Sequence, residues 1–171
     1  MKARILLGIT LAGAFAARAD VVDLTRGGDR SESEPLSGLS MRVEFGNDYA
    51  PYGLVGAAVS YLTSTGTAFE AGAGAGFPGV QLGLGIRQLV GGGGFNVAIE
   101  LTFAGNTKQP RASTQVGINP DTSRYIWSSL GGGFELRLAG RLTASAIAAL
   151  AFTPADTEVH FGFHGGLGYY F

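Results

Sequence analysis

Apolar and polar residues alternate with a period of two along most of the chain after residue 38, and turn-forming residues interrupt the alternation at regular spacing. Successive side chains of a strand point to opposite faces, so each block predicts a strand with one apolar and one small or polar face. Leu39, Met41, Val43 and Phe45 mark the first strand, and Val55, Ala57, Val59 and Tyr61 the second, after Gly46-Asn47-Asp48. Phe69, Ala71, Ala73, Ala75 and Phe77 mark the third, closed by Pro78-Gly79. The fourth carries Val80, Leu82, Leu84 and Ile86 and runs to the glycines at 91–94; the fifth carries Phe95, Val97, Ile99, Leu101 and Phe103. A polar stretch, residues 105–123, separates these from a sixth strand with Leu130, Phe134, Leu136 and Leu138, which begins near Arg124. Leu142, Ala144, Ala146, Ala148, Leu150 and Phe152 form the seventh, and Val159, Phe161, Phe163, Leu167, Tyr169 and Phe171 the eighth.

The charges test this assignment. Nine lie inside the predicted strands: Arg42, Glu44, Glu70, Arg87, Glu100, Glu135, Arg137, Arg141 and Glu158. Each sits at the parity opposite to its strand's apolar series, whereas random placement would put about half on the apolar face. A soluble sandwich also alternates, with its apolar face inside and its charges in water. Two transmembrane helices over residues 55–90 are the other alternative, but Glu70, Pro78 and Arg87 interrupt such spans and the period is two.

The last strand discriminates between these. Phe171, Tyr169 and Leu167, continued by Phe163 and Phe161, resemble the C-terminal strand of bacterial outer-membrane β-barrels, whose terminal Phe and alternating apolar residues are read by the barrel-assembly machinery. The resemblance makes Phe171, Tyr169 and Leu167 an assembly signal. The other end of the chain agrees. Lys2 and Arg4, an apolar run from 5 to 16 and the small residues Ala17 and Ala19 predict a cleaved signal peptide over residues 1–19. The run falls short of the ~20 apolar residues a membrane helix needs. Residues 20–37 are polar and predict a flexible segment, and residues 38–171 the barrel domain.

The expected fold is all-β: an eight-stranded antiparallel up-and-down transmembrane barrel, similar to the OmpA/OmpX-type small barrels over residues 38–171. In lipid every backbone polar group must be paired, so the sheet must close, and eight strands leave an interior just wide enough for side chains to fill. Both termini are expected on the periplasmic side, with short turns there and the long connection, 105–123, outside.

Charge and composition narrow the function. Without residues 1–19 the chain has 9 basic and 13 acidic residues, a net charge of −4 with no basic cluster. Phosphate-backbone binding relies on concentrated Lys and Arg, so nucleic acid is not an expected partner. The expected partners are outer-membrane lipid, lipopolysaccharide and, during biogenesis, the assembly machinery. There is no cysteine, which excludes thiolate metal sites and cysteine catalysis.

The candidate chemistry is sparse. A turn at Phe77-Pro78-Gly79 is expected to set Glu70 opposite Arg87, and Arg137 and Arg141 flank Ala139-Gly140. The nine charges are therefore expected to form a structural lumen network, since buried charges must be paired. His160 and His164 share the lumen face about 13 Å apart at about 3.3 Å per residue, too far for one metal. Glu158 and His160 are close enough for general-base chemistry. Ser145 would oppose His164 in one register, a Ser/His pair without an evident third member. Lipid A deacylases on barrels of this size carry a lipid-facing His-x-Ser, which this chain lacks. The glycines at 91–94 precede a strand, so no helix N-terminus is present for phosphate. No catalytic, metal or cofactor site is expected, and the role is structural or interaction-based in a Gram-negative envelope, without an open pore. A narrow channel or small-ligand barrel is the alternative, with an envelope lipid enzyme third. Inward positions on strands three, four and eight are mostly glycine, and side chains leaning across from other strands are expected to fill that space.

Overall fold

The structure is a computed structural model that describes residues 36–76, 79–92, 94–107, 126–154 and 158–171. The signal peptide expected over residues 1–19, all of the polar segment but 36–37, Phe77-Pro78 and most of the long connection lie outside the described residues. Eight strands follow one another: β1 (Gly38–Gly46), β2 (Val55–Leu62), β3 (Thr67–Gly76), β4 (Gly79–Gly92), β5 (Phe95–Asn106), β6 (Ile126–Ala139), β7 (Leu142–Phe152) and β8 (Val159–Tyr170). Each pairs antiparallel with its sequence neighbour and β8 returns to β1, so the sheet is a closed barrel. Closure leaves no open edge, and an unpaired backbone group in hydrocarbon would cost several kcal/mol.

The apolar series points outward on every strand. Leu84 is 62% exposed, Phe103 60% and Phe161 59%, whereas Arg87, Glu100 and His164 on the same strands are at most 3% exposed. This is the reverse of a soluble sandwich. At the end of the barrel where β1 begins and β8 ends, hereafter the terminal end, the β2–β3 and β6–β7 turns are tight. Gly66 and Gly140 adopt positive φ (+82° and +53°), a backbone region costly for residues with a Cβ.

The β3–β4 register differs from expectation. Gly76 pairs directly with Gly79, so the turn centres one residue earlier, and Glu70 lies opposite Gly85 while Arg87 lies opposite Ala68. A shift of two residues keeps every side chain on its face. Ser145 lies opposite Gly166, and His164 opposite Ile147, so the Ser145–His164 pairing is also corrected.

The interior is tiered. Near the termini Leu62, Ala68, Leu89 and Tyr170 cluster, with Leu36 packed against them. Charged residues occupy the middle. At the other end, hereafter the loop end, Tyr49, Ala104, Trp127 and Ala151 form a second apolar cluster. Tyr49 belongs to residues 47–54, the β1–β2 loop, which turns inward and not out from the barrel: Ala50 and Tyr52 are each 1% exposed, and Pro51 is buried with them.

Candidate functional site

Two arginines anchor the middle tier. Arg87 Nε donates to Glu100 Oε2 at 2.8 Å, and its Nη2 lies 2.6 Å from the same oxygen and 3.4 Å from Glu70. Arg87 and Glu100 face each other directly across β4 and β5. Arg42 pairs with Glu44 (3.0 Å) and Glu70 (2.5 Å), and both arginines approach Glu135 (3.8 and 3.6 Å). His164 bridges Glu44 and Glu100, with Nδ1 2.8 Å from Glu44 and Nε2 3.0 Å from Glu100. Two acceptors facing two ring nitrogens is the arrangement an imidazolium completes. Tyr170 donates to Glu135 at 3.3 Å. All eight of these residues, from six strands, are at most 4% exposed. Such burial offsets much of the Coulomb gain.

The loop end is filled differently. Asn47 ties the loop to β8: its backbone N–H donates to Phe163 O (3.1 Å), its Nδ2 donates to Phe161 O (2.8 Å), and its Oδ1 accepts from Phe163 N (3.2 Å) and Tyr49 N (3.2 Å). Leu54 N donates to Ala75 O at 2.8 Å, and Gln81 Nε2 donates to Ala50 O. Gly53 makes the return at φ +83°, where a Cβ would collide with Ala75 O. Tyr49 stacks on His160 (centroids 4.5 Å, 12°) and meets Trp127 edge-on at 6.0 Å, while Trp127 Nε1 donates to Tyr49 O at 3.1 Å. Tyr52 points into the lumen, its hydroxyl 3.5 Å from Glu70 Oε2. Burial, and then the nearby Glu70 carboxylate, push its phenol above the ordinary value, so it stays a protonated donor.

The sequence-derived residues divide accordingly. Arg42, Glu44, Glu70, Arg87, Glu100 and Glu135 come together, joined by His164. Arg137 does not enter the cluster: it is half-buried at the terminal end, beside the bulge between Arg137 and Ala139, and its N–H donates to Gly94 O (2.7 Å). Arg141 and Glu158 are exposed at opposite ends of the barrel, which corrects the nine-member network. Charge parity locates a face but not a depth along it. His160 is engaged with Tyr49 and stands apart from His164. Phe171, Tyr169 and Leu167 are exposed on the outer face; Phe171 N donates to Leu39 O (2.9 Å), and its ring meets Tyr169 edge-on at 5.6 Å. Among the described residues, no three His, Cys, Asp or Glu side chains group as metal ligands would. Tyr49, Tyr52, Gln81 and Trp127 were missed. The available signal was the volume absent from the glycine-rich strands, which a short Tyr- and Pro-bearing connection could supply.

No family model and no curated protein matches the sequence. Among solved structures, the chain is similar to the N-terminal β-barrel domain of Pseudomonas aeruginosa OprF, with a TM-score of 0.52 and 14% identity over 80% of this chain and all of that domain. The fold is the OmpA-type eight-stranded barrel. Identity this low carries the architecture only. Inside this OmpA-type barrel a six-residue ionic cluster with His164 lies below an inward-turned loop.

Proposed function

We propose that this protein is an integral outer-membrane barrel of a Gram-negative envelope, with a structural or interaction role and a closed lumen. The reading rests on one observation: Tyr52 and Pro51 occupy the side of the lumen where the wall is glycine, while the Arg42/Arg87 cluster occupies the level below. The outward apolar face supports insertion in lipid, since a charge there would cost ~2–4 kcal/mol at the bilayer midplane. Its neighbours are then membrane lipid and lipopolysaccharide, and the C-terminal Phe171, Tyr169 and Leu167 serve recognition by the assembly machinery.

A narrow channel is the second reading, favoured by the excess of carboxylates over arginines in the lumen. An enzymatic role has less support, because Ser145 faces Gly166 and Glu135 and not His164. Outer-membrane fractionation with heat-modifiable gel migration tests location and fold. Planar bilayers test closure: the unaltered protein is expected to give no steady single-channel current, and resolved conductance would replace closure with the channel reading.

A further inference from the structure

Inward positions on β2, β3 and β4 are glycine at Gly56, Gly72, Gly74, Gly83 and Gly85. A glycine inside a strand weakens it and often marks close approach of other backbone. All five lie beneath one segment. A Cβ on Gly72 would sit 2.5 Å from Tyr52 Cδ1, and one on Gly83 3.0 Å from Tyr52 Cε1 and 2.5 Å from Pro51 O. A Cβ on Gly56 or Gly74 would strike the Tyr52 carbonyl, and one on Gly85 would reach 3.6 Å from the Tyr52 hydroxyl. The wall therefore carries the negative shape of this loop. The loop is strapped at its base by Asn47, Leu54 and Gln81, whereas the Tyr52 ring is held by van der Waals contact and one long bond to Glu70.

The geometry points to a resident plug: Pro51 and Tyr52, seated in a glycine-walled slot, are the barrier that keeps water and small hydrophilic molecules out of the loop-end half of the lumen. With the plug withdrawn, the slot becomes a vestibule floored by Glu70 and Arg87. This inference rests on the closed-lumen reading and assigns the outer part of that closure to the loop and not to the ionic cluster.

The chain has no cysteine, so a single reporter is clean. Thr102 is 1% exposed and lies with the Tyr52 hydroxyl over Gly85. Thr102→Cys is placed in the full chain in vesicles, and its reaction with a charged, water-soluble methanethiosulfonate is timed. Labelling is slow with the native loop and with Tyr52→Phe. It is about tenfold or more faster with Tyr52→Ala, and with Asn47→Ala, which removes three side-chain hydrogen bonds near 1 kcal/mol each without altering the lumen wall. Heat-modifiable migration verifies folding in each case, and Asn47→Ala carries the test if Tyr52→Ala does not fold. Equal rates across all variants, slow or fast, overturn the plug. Conductance by the protein with its native loop would instead overturn the closed-lumen reading, so the two failures are separate.

Discussion

Arg87 is fully buried and meets three carboxylates of the lumen, Glu100 at 2.6 Å, Glu70 at 3.4 Å and Glu135 at 3.6 Å. Replacing it with methionine keeps most of the volume and removes the charge. Among the described residues Glu100 then retains His164, and Glu70 retains Arg42 and the distant Tyr52 hydroxyl. Breaking a buried pair from one side costs ~3–5 kcal/mol, because a carboxylate is left without its counter-charge. Glu100→Gln alone removes the nearest negative charge from Arg87 and His164 and leaves one amide oxygen where two carboxylate oxygens accepted. In Arg87→Met/Glu100→Gln neither charge is stranded against the other, so the double change is expected to cost less than the two singles together by ~1–3 kcal/mol. The same cycle with Glu70→Gln is expected to couple more weakly, since that contact is longer and Glu70 keeps Arg42. Urea titration in phospholipid vesicles, followed by fluorescence of the single tryptophan, Trp127, measures all of these. Additivity within ~0.3 kcal/mol for Arg87 and Glu100 would refute direct pairing across β4 and β5. Stronger coupling to Glu70 would restore the register in which Glu70 and Arg87 are opposite.

Other expectations follow from the two faces of the sheet and its turns. Leu101→Arg, on the outer face of β5, is expected to destabilise by ~2–4 kcal/mol in the same titration, and a neutral result would argue that this face does not meet lipid. Deleting Phe171 removes the bond to Leu39 O and the edge contact with Tyr169, and is expected to lower outer-membrane levels with degraded periplasmic protein; normal levels of folded barrel would remove the terminal-signal reading. Gly53→Ala combines a positive φ with a collision at Ala75 O, and is expected to cost at least ~1 kcal/mol and to change Trp127 emission, because Tyr49 O accepts from its indole. Unchanged emission and stability would mean that the loop does not hold its inward return.

Strand number and facing were legible because a two-residue period is imposed by two chemically different surroundings; Phe95 to Phe103 and Leu142 to Phe152 state it almost without exception. The ionic cluster was legible in part. Parity placed Glu44, Glu100 and Glu135 inside, but it could not rank depth, so Arg141 and Glu158 were drawn in from the rims. The two-residue register error on β3–β4 came from the pairing assumed across a Phe77-Pro78-Gly79 turn, whereas Gly79 is already paired with Gly76. His164 was on the correct face, yet its two carboxylate partners come from β1 and β5, and cross-barrel distances are set by closure and not by any local pattern. The inward loop was the largest omission. Residues 47–54 resemble an ordinary hairpin connection, and only the missing lumen volume on β2 to β4 hinted that it had another place to go.

Asn47 sits at the base of the first hairpin, yet its amide grips Phe161 and Phe163, more than a hundred residues later. Those bonds form only when the last strand docks against the first. Until that moment the loop keeps its bonds to Ala75 and Gln81 but has no strap on its β8 side, so an unfinished sheet holds the loop over the glycine slot less firmly. Sealing of the interior is thereby tied to completion of the cylinder. Resistance of residues 48–53 to protease would mark, within a single molecule, the passage from inserted sheet to finished barrel.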